Sequence, residues 1–328
     1  MRFSANIVAL VLAFSGNTIL ASPVARRACT VKTQRKAWED LTDAEKKAYL
    51  DADLCLMNTP PITDIPGVKN VWDELQWTHA AQAGYIHFVG TFLPFHRYYV
   101  RAHQTLIRDL CGYNGPLPYW HEPGDVGALG KAAILDPKTG FGSGGNGTAR
   151  CLIDGPFANV TLRIGRNLKA GQEYCVYRAI NGVFFNNAAQ KNVDKCLAMA
   201  TFNDAWRCIE AAPHSAGHGG INGLMIDVAL SPGDPIFWLH HGWIDKLWWD
   251  WESRKLPARL TEGAYFNHSI GGNNTIRGIN DPAWVNYFGD NGTVVTLNHV
   301  LTSHGLVPNA TVADVMDIGG DYVCAEFV

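Results

Sequence analysis

Eight cysteines sit behind an apolar leader, and that arrangement limits this chain more than any other feature. Met1-Arg2-Phe3 runs into the apolar stretch Ile7 to Phe14, then Ile19-Leu20-Ala21, with small residues at a cleavage point. Residues 1–21 read as a secretory signal peptide, too short to span a bilayer, and no second run of spanning length follows. Val24-Ala25-Arg26-Arg27 adds a dibasic pair, so 22–27 reads as a short propeptide and 28–328 as one mature domain. All of Cys29, Cys55, Cys111, Cys151, Cys175, Cys196, Cys208 and Cys324 lie beyond the leader. An even cysteine count in an oxidising compartment implies disulfides, with about a hundred pairings open. Cys29 and Cys324, at the two mature ends, are one candidate pair. No CxxC occurs, which argues against a thiolate zinc site or a thioredoxin-type site. N-x-S/T sequons begin at Asn146, Asn159, Asn267, Asn273, Asn291 and Asn309, marking surface loops that carry glycans on a secreted chain.

Charge narrows the partners. The 27 basic and 30 acidic side chains leave a net charge of −3, so no basic surplus serves nucleic acid or an anionic membrane. No obligate protein partner is indicated. The 47% apolar content suits a globular core.

Helical patterns dominate. Thr42-Asp43-Ala44-Glu45 is a capping box opening a helix toward Leu54. Val71, Trp72, Leu75 and Ala80 follow helical spacing from Val68 to His79 or beyond. Pro94 suits the first turn of a helix over 95–110, ended by Gly112. Phe202, Trp206 and Ile209 form another stripe. Asp234-Pro235 caps and opens a helix that Pro257 must stop. The stretch 124–147 lacks periodicity. Its Gly140-Phe-Gly142-Ser-Gly144-Gly145 matches G-x-G-x-x-G, yet no strand precedes it and no helix follows, so it reads as a flexible surface loop. After Leu260 the chain is polar, with short β-like pieces such as Val294-Val295-Thr296. The expectation is a mainly α domain with long loops and minor β.

Six of the twelve histidines, on or beside these helices, form a pattern. His79 and His96 lie on the second and third, with His87 in the connection. His214 and His218 are an i, i+4 pair on one helix face, and His241 lies inside the helix opened by Asp234. His-Ser-Ala-Gly-His lacks the glutamate of the zinc-protease H-E-x-x-H, which disfavours a zinc peptidase. Two sets of three imidazoles suit copper, although spacing alone leaves copper and zinc both open.

The segment from His79 through His87-Phe-Val-Gly-Thr-Phe-Leu-Pro-Phe-His96-Arg97-Tyr98 resembles the copper A motif of the tyrosinase and catechol oxidase family. Pro213-His214-Ser-Ala-Gly-His218, with Asp234-Pro-Ile-Phe-Trp-Leu-His240-His241-Gly-Trp-Ile-Asp245-Lys-Leu-Trp248, resembles its copper B motif. The match runs from Trp72 to Trp251 and is most similar to short secreted fungal polyphenol oxidases. The resemblance implies a four-helix bundle holding two copper ions. His79, His87 and His96 would hold one, and His214, His218 and His241 the other. It also implies O2 as co-substrate and small phenols as partners, with o-diphenols oxidised to o-quinones and no organic cofactor. His240 neighbours the last ligand and stands just outside the ligand set. Asp245 either orients an imidazole through its second nitrogen or makes a surface salt bridge with Lys246 or Arg254.

Further positions carry over from the family. Glu210, four before His214, is where relatives carry a glutamate that holds a water and helps deprotonate the phenol; otherwise it is an exposed helix glutamate. Val228 matches the residue gating copper A, or is a plain core valine. Tyr85 replaces the cysteine that forms a thioether to the histidine in many fungal relatives, so that cross-link is impossible. Phe95 replaces a tryptophan. Ser215 follows His214 where strong monophenol hydroxylases often have asparagine, and Gly219 follows His218; these neighbours favour a catechol oxidase. The loops 124–150 and 263–288 are expected to shape specificity. The family's C-terminal lid domain is not expected. A true tyrosinase or o-aminophenol oxidase is the alternative among enzymes, a hemocyanin-like O2 carrier the alternative of another class, and a zinc hydrolase the most distant.

Overall fold

The computed structural model describes residues 29–145, 150–262, 266–267 and 294–328. Its helix ends follow local chemistry. Strand β1 (Thr33–Ala37) leads into α1 (Asp43–Asn58), where Thr42 Oγ1 accepts from the Glu45 amide at 3.2 Å and Glu45 returns a bond to the Thr42 amide at 2.8 Å. Asn70 caps α2 (Val71–Ile86) by accepting from the Asp73 amide at 2.8 Å. The third helix, α3 (Phe92–Cys111), starts three residues before the expected Phe95 and keeps Pro94 in its first turn. Gly112 ends it at φ 70°, a left-handed position that suits glycine.

After β2 (Leu117–Tyr119) and an antiparallel hairpin, β3 (Thr161–Ile164) and β4 (Ala170–Cys175), come the short helices α4 (Gly182–Phe185), α5 (Gln190–Leu197) and α6 (Phe202–Ile209). A five-residue π turn, Glu210–His214, then leads into α7 (Ser215–Ile221), and α8 (Ile236–Ser253) completes the helical core. Pro213 has no N–H to return to the Ile209 carbonyl, and the turn widens around it. Helix α3 packs against α8 and α1, with α2 and the π turn closing the bundle. A parallel sheet places β1 between β2 and the C-terminal strand Ala325–Phe327. No helix among the described residues is long and apolar enough to cross a membrane.

Rings fill the interior. Trp238 of α8 meets Trp72 of α2 edge-on at 6.0 Å and stacks on His103 of α3 at 4.2 Å. Burying a large apolar side chain is worth about 1.5–3 kcal/mol, so these rings lock the helices that carry the histidines. Four disulfides join Cys29 to Cys324, Cys55 to Cys111, Cys151 to Cys175 and Cys196 to Cys208. The expected pairing of Cys29 with Cys324 is present.

The glycine-rich stretch departs from the flexible surface loop read from the sequence. Gly140, Phe141 and Gly142 are buried, with Phe141 stacked on Phe157 at 5.7 Å and 5.0 Å from Trp38. Buried Arg178 donates to the carbonyls of Phe141 (3.1 Å) and Gly142 (2.8 Å) and pairs with Asp234 at 2.7 Å. One aromatic anchor and one guanidinium thus tie this stretch to the start of α8, a contact no local period reports. The sequon at Asn146 lies outside the described residues, as do Asn273 and Asn291 and most of 263–288. Asn267 falls in a two-residue strand, and Asn159 and Asn309 are exposed.

Candidate metal centre

Six histidines converge in the bundle. His79 comes from α2, His87 from its C-terminal end, His96 from α3, His214 from the π turn, His218 from α7 and His241 from α8. All six are buried. The ligand-capable atoms of His79, His87 and His96 lie within 4.8 Å of one another, as do those of His214, His218, His240 and His241. The two groups face each other: His96 stacks on His241 at 4.2 Å with an 11° interplanar angle.

Backbone carbonyls decide which nitrogen five of the six rings offer. His79 Nδ1 meets the Ala229 carbonyl at 3.0 Å, His87 Nδ1 that of Ala83 at 3.0 Å and His96 Nδ1 that of Phe92 at 2.7 Å. His214 Nδ1 meets the Glu210 carbonyl at 3.3 Å and His218 Nδ1 that of Met225 at 2.6 Å. A carbonyl only accepts, so each Nδ1 carries the proton and each Nε2 is a bare lone pair. Yet His79 Nε2 and His96 Nε2 stand 3.4 Å apart, two lone pairs face to face with no hydrogen between them. His214 Nε2 is buried without a partner. A cation among these nitrogens resolves the repulsion, so this donor set fits a metal. Burial comes first among the causes that hold all six imidazoles below the usual histidine range, His87 at about 4. They are neutral ligands at neutral pH.

A cavity of about 110 Å³ opens onto this centre, lined by His87, Phe88, Glu210, His214, Ser215, His218, Met225, Ile226, Val228 and Ser231. Glu210 is buried, not exposed; its Oε1 accepts from the Phe88 amide at 2.8 Å, and burial pushes its carboxyl up to about 8. Val228 is partly exposed on the cavity wall, not in the core. The Ser215 hydroxyl donates to the Ala211 carbonyl at 2.6 Å.

Other expected positions differ. Asp245 reaches neither an imidazole nor Lys246 or Arg254. It is buried and ion-paired with Arg35 of β1 and Arg97 of α3, while His241 Nδ1 has no partner. Arg97 continues to Glu252 at 2.9 Å and to the Val315 and Met316 carbonyls, so Asp245 fastens the sheet and C-terminal segment to the bundle. Gly219 is absent from the cavity wall, because the Phe184 ring lies where its side chain would be. The loop 124–145 does not line the cavity; the segment 225–231 does. Glu122 was not foreseen. It hydrogen-bonds His240 Nδ1 inside the bundle, and Gly217 leaves the space for this pair. Only a lone carboxylate in a proline-containing turn marks it in the sequence.

Two facing imidazole clusters in a helical bundle, with a small cavity beside them, make a site suited to holding metal through histidine nitrogens. A family model described as the common central domain of tyrosinase matches residues 69–254. The tyrosinase-like protein phomQ1 of Diaporthe leptostromiformis is 30% identical, covering 100% of this chain and 85% of that protein. N-acetyl-6-hydroxytryptophan oxidase ivoB of Emericella nidulans is 28% identical over 89% of this chain and 91% of its own. Among solved structures, a polyphenol oxidase (mutant G292N) from Thermothelomyces thermophila superposes with a TM-score of 0.75 at 25% identity, covering 90% of this chain and 89% of that one. A functional unit of octopus hemocyanin shares the fold at 18% identity, with a TM-score of 0.53 over 90% of this chain and 68% of its own. The chain belongs to the tyrosinase family of type-3 copper proteins. It is a copper oxidoreductase similar to fungal polyphenol oxidases, which sets aside the oxygen-carrier and zinc-hydrolase readings.

Proposed function

We propose that this chain is a secreted diphenol oxidase that converts o-diphenols to o-quinones. One copper ion is held by His79, His87 and His96 and a second by His214, His218 and His241. The face-to-face Nε2 atoms within each cluster, His79 with His96 at 3.4 Å and His218 with His241 at 3.3 Å, carry this reading. The copper pair, when bound, supplies the redox chemistry by which two diphenols become two quinones while one O2 and their four hydrogens become two waters. The chain's own residues place the substrate. The cavity opens beside His87, His214 and His218, so a phenol reaches the clusters through it. Glu210 lines that cavity, and the ionised fraction of its carboxyl, held at about 8, accepts a phenol proton. Ser215, with its hydroxyl committed to a carbonyl, favours diphenol over monophenol oxidation.

Copper-loaded protein is expected to consume O2 with 4-tert-butylcatechol and to turn tyrosol over slowly. Failure to oxidise the catechol refutes the function. Equal turnover of tyrosol discards the Ser215 argument and makes the enzyme a true tyrosinase, and 2-aminophenol in the same assay tests o-aminophenol oxidation. Four disulfides and exposed Asn159 and Asn309 support secretion of a glycosylated single domain over 28–328. Mass spectrometry of the secreted protein, finding Ala28 at the N-terminus and glycan at these two positions, checks it.

A further inference from the structure

The connection between α2 and α3 is short and carries a ligand. His87 closes α2 with an extended backbone and α3 begins at Phe92, so residues 88–91 alone turn the chain. Phe88 does so at φ 59°, in the left-handed region that a bulky side chain occupies only when its surroundings hold it there. All eight cysteines are paired in disulfides, so nothing covalent ties this connection down.

Two hydrogen bonds hold it instead. Thr91 Oγ1 donates to the Tyr85 carbonyl at 2.8 Å and closes the connection on itself. The other partner stands 122 residues away in the chain: the Phe88 amide donates to Glu210 Oε1 at 2.8 Å. That amide belongs to the planar peptide unit joining His87 to Phe88. Pinning it fixes the backbone on which the His87 imidazole stands.

Glu210 also reaches the other cluster. It is buried, it opens the π turn that ends at His214, and its own carbonyl meets His214 Nδ1 at 3.3 Å. One residue thus touches the backbone beside a histidine of the first cluster and the ring of a histidine of the second. The rings of His87 and His214 stand 6.4 Å apart. With Oε1 committed to Phe88, Oε2 is left for the phenol proton.

We propose that Glu210 is a positioning residue as well as a proton acceptor: its bond to Phe88 clamps the strained connection and sets His87 against the second cluster. This inference rests on the ligand set proposed above. The test needs no phenol. Metal-free wild type, E210Q and E210A are compared by hydrogen–deuterium exchange at the Phe88 amide and, after loading with copper(II) and dialysis, by copper per chain. Glutamine keeps an acceptor oxygen and loses the carboxylate, so E210Q should keep the protection and the copper of the wild type. E210A leaves the amide without its acceptor. Exchange should accelerate about ten- to a hundredfold, the cost of leaving a buried donor unpaired, and the copper of the His79, His87 and His96 cluster should be the one lost. Glycine adopts φ 59° freely, so the effect of E210A on copper retention should shrink in the F88G background, a coupling that a double-mutant cycle reads. The clamp is overturned if E210Q loses as much copper as E210A, if E210A exchanges and retains copper as the wild type does, or if the effect of E210A is the same in the wild-type and F88G backgrounds. Should the wild type retain no copper, the ligand reading falls, while exchange at Phe88 in the metal-free chain still decides the clamp.

Discussion

Replacing His87 with leucine tests whether the imidazoles are held neutral by the fold itself. His87 is the clearest case, because burial lowers its pKa to about 4, the Ala83 carbonyl opposes that shift, and no charged partner contributes. In the unfolded chain a histidine titrates near 6.5. The folded pKa is the lower one, so the unfolded state binds more protons below pH 6.5. The stability contribution is complete above that pH and is lost as pH falls toward 4. At about 1.4 kcal/mol per unit, the full loss is on the order of 3 kcal/mol, of which about 2 kcal/mol is reached at pH 5. His87→Leu removes this term together with the hydrogen bond to Ala83, the latter a constant offset at every pH. Urea unfolding of the metal-free wild type and H87L at pH 7.5 and 5.0 measures both. Between the two pH values the wild type should lose about 2 kcal/mol more than the variant. Parallel pH dependences, within about 0.5 kcal/mol of each other, would refute the reasoning: His87 would then be hydrated in the fold and no ready-made ligand.

Asp245→Asn leaves Arg35 and Arg97 buried with a weakened partner; urea unfolding should show a loss of about 3–5 kcal/mol, the usual consequence of breaking a buried pair. Opening the Cys55–Cys111 bridge with paired serines releases a loop of 56 residues, and calorimetry should find about 4 kcal/mol less stability. Gly217→Ala drives a methyl group into His240 and Glu122. It should cost about 1–3 kcal/mol as overpacking and lower the copper content measured by elemental analysis, with the His79 cluster keeping its share.

What the sequence made legible was chemistry written locally. The Thr42–Glu45 capping box, Gly112 at the end of α3 and the i, i+4 pair His214–His218 each depend on neighbours within a turn or two. The family motifs carried the ligand set as far as naming six histidines, and the structure brings those six together. Partners far apart in the chain were not legible. Asp245 stands one turn after His241, which puts both on a similar face of α8. Its partners are Arg97, 148 residues away, and Arg35, 210 residues away, and no spacing along α8 announces them. Glu122 meets His240 across 118 residues for the same reason.

The segment 222–231 makes the sharper case. It has no periodicity and supplies no ligand, so only the position of Val228 drew attention to it. Yet the carbonyls of Met225 and Ala229 fix the proton on Nδ1 of one imidazole in each cluster, and that in turn leaves Nε2 bare for a metal. Ligand type is therefore a property of the residue, readable in one dimension, whereas ligand tautomer is a property of where a loop's backbone comes to rest. A substitution that shifts this segment without touching a histidine, such as Asp227→Ala with its loss of the Ala229, Leu230 and Arg166 bonds, should loosen the hold of the Met225 and Ala229 carbonyls on His218 and His79 and lower metal retention. Elemental analysis of the purified variant should find less copper than in the wild type. An unchanged copper content would show that the two carbonyls keep their places without Asp227.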